Sequence, residues 1–389
     1  MLKKILIISP EFNEEFIRYQ PWKQLFELGL RMKQRGIECI IGTNATNSKE
    51  INSIDILKLD QKNLRILTNE SKEKIIRLNP DIIFWQGNPL SGIYLKKNKV
   101  NNIPIILYVS TIHMMWLEIK NLSIKEIFQS NLLSFFMAFF PFSNLVKNLN
   151  NSNIAGIIVP NNSVNQRLIK LGVVREKIKI SPLCFESDLP DTQNKKLKQK
   201  LFTICYLGPS PSVRGTDIIL DVIEMFSKNQ IPIHLNFLLR TPNPEIEKAF
   251  FEKKCAKKQI SNFVTIDAGL LDRNSISHEI LNSNVVVIPT KFVWNEPPLA
   301  ILEAMALGKP IVTSNVCGLT ELIGNNGFTV NPNSLSFYEC IKKIYDDPNL
   351  ETKMGEKAKE FALSLPNWNK MTDWMIQTFE SFQRNKNEN

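Results

Sequence analysis

Short apolar runs alternate with longer amphipathic stretches along the chain, and this alternation predicts parallel β-sheets wound with helices. A helix is predicted over Trp22–Arg35, with Gly36 ending it. Strands are predicted in the first half at residues 3–10, Glu38–Gly42, Asp81–Trp85, Ile103–Val109, Ile154–Val159 and Ile178–Ile180. A second series is predicted at Phe202–Leu207, Ile233–Leu239, Phe263–Ile266, Val285–Ile288 and Pro310–Thr313.

A polar, lysine-rich segment, ESDLPDTQNKKLKQK, separates the two series and has nothing to fill a core. The length of 389 residues also exceeds what one hydrophobic core usually supports. We therefore expect a first α/β domain at 1–185, a linker at 186–200 and a second doubly wound α/β domain at 201–361.

Composition is that of a globular protein, with 43% apolar and 22% charged residues. The six cysteines form no Cys-x-x-Cys pair and are interpreted as reduced core residues. The net charge of +10 indicates an anionic partner, and an acidic lipid surface and an anionic substrate both remain open. Nucleic acid is disfavoured, because the lysines are spread over helices and linker and form no stripe with aromatic residues.

The apolar run Ile5–Ile8 is too short for a secretory signal, and no apolar stretch is long enough to span a bilayer. We therefore expect a cytoplasmic protein. The segment Ile127–Leu149 is the exception in the pattern, because its run Leu132–Phe142 is apolar except for one serine. Two interpretations stay open: peripheral contact with an anionic membrane, helped by Lys125 and Lys147, or a core helix.

Candidate chemistry lies after the predicted strand Val285–Ile288, where a loop leads into a helix that starts near Leu299. The unpaired N–H groups of a helix N-terminus and the helix dipole make such a place an anion site. A diphosphate would bind at Pro298, Leu299 and Ala300. Glu303, inside the helix, is suited to accept hydrogen bonds from ribose hydroxyls.

The run EPPLAILEAMALGKPIVTSNVCGLTELI resembles the sugar-nucleotide signature of family 4 glycosyltransferases, E-x(7)-E, A-M-A-x-G-x-P-V-[IV] and G-G-x-x-E. The matching positions are Glu303, Ala304, Met305, Ala306, Gly308, Pro310, Gly318 and Glu321. A second block, FTICYLGPSPSVRGTDIILDVIEMF, resembles the start of the family's donor domain. There Gly208, Arg214 and Gly215 match as diphosphate contacts, with Arg214 in place of the family's lysine.

This resemblance implies the GT-B architecture, in which two Rossmann-like domains face a cleft and a closing helix, here 362–389, crosses back to the first domain. It also implies transfer of a sugar from a nucleoside diphosphate to a glycan or lipid-linked acceptor. Transfer would proceed with retention, without metal and without a cofactor beyond the donor. Arg214 and the helix N-terminus would balance the charge of the leaving group.

Two departures affect the donor side. The family's first glutamate falls on Asn295, and the acid present is Glu296, so either the loop is one residue shorter or Asn295 contacts the sugar. Both are catalytic candidates. The family's arginine after the glycine is Pro209, for which Arg240 is the candidate substitute.

The first domain departs further. Its first loop, PEFNEEFIRYQPW, lacks the family's glycines, and we assign Arg18, Tyr19 and Trp22 to the acceptor side, since cationic and aromatic groups suit phosphate and sugar. The family's histidine position is Ser110, so His113 is the third catalytic candidate.

Other activities fit less well. An oxidoreductase would need a glycine fingerprint after the first strand, and none is present. The alternative that stays open is a weakened GT-B pseudoenzyme that acts as a binding partner in a membrane glycan-assembly complex. The nucleotide base is expected near Gly269 and Leu270, where backbone groups do not reveal its identity.

Overall fold

The computed structural model describes residues 2–15, 17, 20–61, 65–110, 119–129, 143–186, 201–293 and 298–387. Within these ranges the chain forms two separate sheets, each covered by helices. The predicted fold class, two doubly wound Rossmann-like domains, is confirmed.

The first sheet has eight strands in the described residues. They are β1 Lys4–Ile8, β2 Glu38–Thr43, β3 Glu50–Ile51, β4 Ile54–Lys58, β5 Ile82–Gly87, β6 Ile105–Val109, β7 Ile154–Val159 and β8 Ile178–Ile180. Their order is β3-β4-β2-β1-β5-β6-β7-β8, and every pairing is parallel except β3 with β4. The chain therefore reverses its direction of winding between β1 and β5.

Helices cover both faces of this sheet. They are α1 Trp22–Gln34, α2 Asn69–Leu78, α3 Ser91–Leu95, α4 Ile124–Gln129, α5 Ser143–Val146 and α6 Asn162–Lys170. α1 buries Leu25, Leu28 and Met32, the three- and four-residue spacing that predicted it. It ends before Gly36, whose φ of +76° makes the left-handed turn into β2.

The second sheet has six parallel strands among the described residues. They are β9 Phe202–Pro209, β10 Ile233–Arg240, β11 Val264–Gly269, β12 Val285–Ile288, β13 Ile311–Ser314 and β14 Phe328–Val330, in the order β11-β10-β9-β12-β13-β14. The helices of this half are α7 Thr216–Lys228, α8 Pro244–Lys257, α9 Arg273–Leu281, α10 Leu299–Ala306, α11 Leu319–Ile323, α12 Ser334–Asp346, α13 Pro348–Ser364 and α14 Trp368–Asn387.

The last helix, α14, leaves the second sheet and packs on the first. Its Met371, Met375 and Phe379 are fully buried in the core that contains α1 and one face of β1. A Cβ added at Gly156 of β7 would lie 2.4 Å from the ring of Phe382, so glycine lets this helix approach the strand closely. The domain boundaries proposed from sequence stay predictions, and residues 187–200 of the predicted linker lie outside the described ranges.

The described helices include none that is long and apolar enough to cross a membrane. Most of Ile127–Leu149, including the whole run Leu132–Phe142, lies outside the described ranges. None of the six cysteines, all of which lie in the described ranges, forms a disulfide, and five of them are buried. Burial raises the pKa of the Cys205 thiol to about 12, so this thiol stays protonated and behaves as a small apolar side chain.

Candidate functional site

The second sheet reverses its winding at β9, which pairs with β10 on one side and β12 on the other. Ligands of open α/β sheets bind at such a switch point, beyond the carboxyl ends of the strands. Here the loops after β9 and β12 touch. Gly215 has a φ of +78°, and a Cβ there would lie 2.0 Å from the Pro289 carbonyl oxygen. The Lys291 amide donates to the Val213 carbonyl at 2.8 Å, so the two loops form one platform.

Arg214 lies on this platform, half-buried, between β9 and α7. Burial lowers the pKa of its guanidinium, Tyr206 opposes that shift, and the positive charge of Arg240 adds to it. Within the described ranges no carboxylate forms an ion pair with Arg214. Arg240 ends β10 and pairs with Pro209 in the strand ladder, so the two cations lie beside the same strand end. An anion bound between two neighbouring cations would relieve their mutual repulsion.

The N-terminus of α10 lies at the same edge of the sheet. α10 begins at Leu299, and its N-cap residue, Pro298, has no side chain that can bond the free N–H groups of the first turn. Ala300 packs against the core beneath. Leu299 lines a small cavity between the domains together with Gln20 and other residues of the first domain.

Glu303 lies in the second turn of α10, with a side chain 18% exposed. Arg273, the first residue of α9, donates from Nη2 to Glu303 Oε1 at 2.8 Å. This contact orients the carboxylate that was predicted to bind ribose. Sequence reasoning missed Arg273, because it precedes Glu303 by 30 residues and belongs to no motif.

The other predicted residues are placed as follows. Gly208 lies at the end of β9, where a Cβ would be 3.1 Å from the Tyr206 hydroxyl. Trp22 is the first residue of α1 and packs against the first core. Five predicted site residues lie outside the described ranges: Arg18, Tyr19, His113, Asn295 and Glu296. The site roles given to all these residues stay predictions.

Ser110, at the expected histidine position, follows β6 and is completely buried. Its hydroxyl has no hydrogen-bond partner within the described part of the chain. A serine here places a small uncharged group where the resemblance implied an imidazole.

Glu321 links the two domains. Its Oε1 and Oε2 accept hydrogen bonds from the amides of Asn162, at 3.1 Å, and Ser163, at 3.2 Å, in the first turn of α6. A carboxylate at a helix N-terminus is favoured by the free N–H groups and the dipole. A Cβ at Gly318 would lie 2.7 Å from the side-chain Nδ2 of Asn161, so the G-x-x-E element, which runs from Gly318 to Glu321, faces the domain interface.

A second contact between domains is formed by Lys291, which binds Glu126 of α4. Neither residue belongs to a motif, and sequence reasoning missed both. As for metals, no cluster of three or more histidine, cysteine, aspartate or glutamate side chains suited to a metal ion occurs among the residues that the structure describes.

Comparison with known proteins gives one family model, "Glycosyl transferases group 1", which matches residues 190–361. A curated relative, the UDP-Gal:alpha-D-GlcNAc-diphosphoundecaprenol alpha-1,3-galactosyltransferase of Escherichia coli, is 37% identical over 78 residues, 19% of this chain and 20% of that protein. The chain covers about a quarter or less of the length of the first two curated relatives that it matches, so those matches are local.

Solved structures match over nearly the whole chain. Sucrose-phosphate synthase from Thermosynechococcus elongatus superposes with a TM-score of 0.74 at 17% identity, covering 97% of this chain and 98% of that one. Anabaena HepE, solved in complex with UDP, gives a TM-score of 0.71 at 16% identity and covers 98% and 100%. At these identities the similarity establishes the two-domain fold.

Proposed function

We propose that this chain, whose residues 190–361 match the model of the group 1 glycosyltransferases, transfers a sugar from a nucleoside diphosphate to an acceptor between its two domains. One observation carries the proposal. Arg214 is a half-buried cation without an acidic partner in the described ranges, at the switch point of a nucleotide-binding type of sheet. An anionic ligand is the partner that this environment lacks.

The donor would lie along the carboxyl edge of the second sheet. Arg214, Arg240 and the first turn of α10 would hold the diphosphate, and Glu303, oriented by Arg273, would accept hydrogen bonds from the ribose. As the bond to the sugar breaks, negative charge develops on the diphosphate. Fixed cations and backbone dipoles stabilise that charge without reorganising, which is the usual source of such catalysis.

Retention of anomeric configuration and independence from metal are part of the proposal, and both come from the family resemblance. The two guanidinium groups and the helix N-terminus supply positive charge of the kind that Mg²⁺ would otherwise provide. Proton NMR of the product sugar tests retention. Equal transfer rates in Mg²⁺ and in EDTA test metal independence, and a strict need for Mg²⁺ would refute it.

For the acceptor we propose a glycan or a lipid-linked sugar, bound by a chain that lies peripherally on the inner face of an anionic membrane. The net charge of +10 and the lysine-flanked segment 127–149 support the membrane contact. The Escherichia coli relative is a galactosyltransferase for a diphosphoundecaprenol-linked sugar. Gln20 Oε1, next to the interdomain cavity, is buried without a partner in the described ranges, which suits an acceptor hydroxyl.

A pseudoenzyme is the second candidate, favoured by two observations. Pro209 stands where the resemblance implies an arginine. Ser110, a buried serine whose hydroxyl has no partner among the described residues, stands in place of a histidine. Isothermal titration with UDP- and GDP-sugars, followed by assays of donor hydrolysis and transfer, separates the candidates. Binding without either reaction supports the pseudoenzyme, and no binding at all contradicts both.

A further inference from the structure

An ion triad, in which Lys291 and Glu126 are buried and Asp217 is half-exposed, joins the two domains beside the proposed donor site. Lys291 Nζ lies 2.7 Å from Glu126 Oε1 and 2.7 Å from Asp217 Oδ2. Glu126 belongs to α4 of the first domain, whereas Lys291 follows β12 and Asp217 lies in the first turn of α7. Lys291 is 7% exposed and Glu126 is 3% exposed, so this charge pair crosses the domain interface out of contact with water.

Both members of the pair are charged. Burial favours the neutral acid, but hydrogen bonds from Lys291 and Ser123 outweigh it and hold the pKa of Glu126 below its usual value. Burial likewise acts against the ammonium, but the two carboxylates raise the pKa of Lys291 above its usual value. A buried ion pair adds little stability compared with apolar side chains of similar volume. What the pair can contribute instead is to fix how the two side chains, and the domain segments that carry them, lie relative to each other.

That geometry includes the loop carrying Arg214. The Lys291 amide donates to the carbonyl of Val213, the residue before Arg214, while its ammonium binds Asp217, three residues after Arg214. Lys291 therefore holds the loop on both sides of Arg214, the cation proposed to bind the diphosphate. Phe292, which follows Lys291 in the chain, and Leu122, four residues before Glu126, are buried against each other.

We propose that Lys291 is a positioning residue for Arg214, and that it holds Arg214 in place only while Glu126 of the first domain binds its ammonium. The donor site is then complete only when the domains are closed as they are here, and the acceptor domain sets donor affinity. The identity of the ligand, a nucleoside diphosphate, rests on the proposed function.

The test uses Lys291→Met and Glu126→Gln in the full chain. Lys309→Met is the matched control, because Lys309 is also 7% exposed but donates to the carbonyls of Leu281 and Ser283. Amide hydrogen exchange is measured over residues 212–217 without nucleotide, and UDP and GDP binding by titration. We expect faster exchange there and about tenfold weaker binding in both test variants, as for loss of one charged contact. The control should change neither quantity.

A double variant tests the coupling. If the two side chains act as a unit, Glu126→Gln with Lys291→Met should bind nucleotide no more weakly than Lys291→Met alone. Fully additive losses would overturn the coupling. Should a buried variant fail to fold, Asp217→Asn removes the half-exposed acid of the triad, and it should also speed exchange over 212–217.

The two proposals fail in different ways. Unchanged exchange over 212–217 in the variants overturns the positioning role, whatever the nucleotide data show. Faster exchange together with a wild-type protein that binds neither UDP nor GDP supports the positioning role and overturns the proposed function.

Discussion

Replacing Arg214 with methionine removes the central charge of the proposed diphosphate site and keeps most of the side-chain volume. Burial and the nearby charge of Arg240 both lower the pKa of Arg214, so the nucleotide-free protein holds this cation at a cost in free energy. We therefore expect opposite effects of Arg214→Met on two quantities. Nucleotide binding should weaken, while the free energy of unfolding without nucleotide should stay equal or rise.

The size of the binding loss follows from the contact removed. A hydrogen bond to a charged group contributes about 1.5–3 kcal/mol, which corresponds to a dissociation constant roughly 10- to 150-fold higher. Arg240, exposed at the end of its strand, serves as the comparison. Its charge is screened by water, so Arg240→Met should cost at most about 1 kcal/mol, or roughly fivefold in affinity.

Isothermal titration with UDP and GDP measures the first quantity, and urea unfolding of the same samples measures the second. If wild-type protein binds a nucleotide and Arg214→Met binds it equally well, the diphosphate lies elsewhere. If Arg214→Met loses stability as well as affinity, the guanidinium has a structural partner. Arg214 is then not a cation that is held for an anionic ligand.

Three further predictions follow from the site, the fold and the composition. Glu303→Gln should weaken UDP binding by about 1 kcal/mol, and 2′-deoxy-UDP should bind the variant and the wild type alike; a loss of the same size with the deoxy ligand would exclude a contact to that hydroxyl. Gly215→Ala should destabilise the protein in urea more than Gly36→Ala, by about 1 kcal/mol or more, because both have positive φ but only Gly215 meets a carbonyl oxygen at 2.0 Å. Equal losses in the free energy of unfolding for the two variants would mean that the loops after β9 and β12 move apart at little cost. Sedimentation with anionic vesicles should fall for Phe136→Glu with Phe139→Glu, and undiminished binding would identify that segment as core.

The fold was predictable because its strong signals are local. β7, β8 and β12 occur as predicted, and other predicted strands differ by one to three residues at their ends. The pattern missed β3, β4 and β14, which are short or only partly buried and so carry few apolar positions. β3 and β14 are edge strands and β4 lies next to an edge, where strand formation depends on the neighbouring strand more than on the local sequence.

The candidate site was predictable only where residues lie in one motif. Arg214, Gly215 and Glu303 were proposed because each lies in a recognisable sequence block, and their site roles stay predictions. The partners of these residues come from distant segments: Arg273 for Glu303, and Lys291 for the loop of Arg214. The spacing of residues along the chain does not predict such contacts, since they form only when the sheet and both domains assemble.

The contact of Glu321 with the first turn of α6 has a consequence for protein engineering. A chimaera that exchanges residues 201–361 for those of another protein of this fold removes the carboxylate that binds the amides of Asn162 and Ser163. The incoming half must therefore supply an acid at this position, or the recipient must be given a new N-terminal turn for α6. The second half of the chain can be exchanged as a unit only if the contact between Glu321 and the first turn of α6 is exchanged or rebuilt with it.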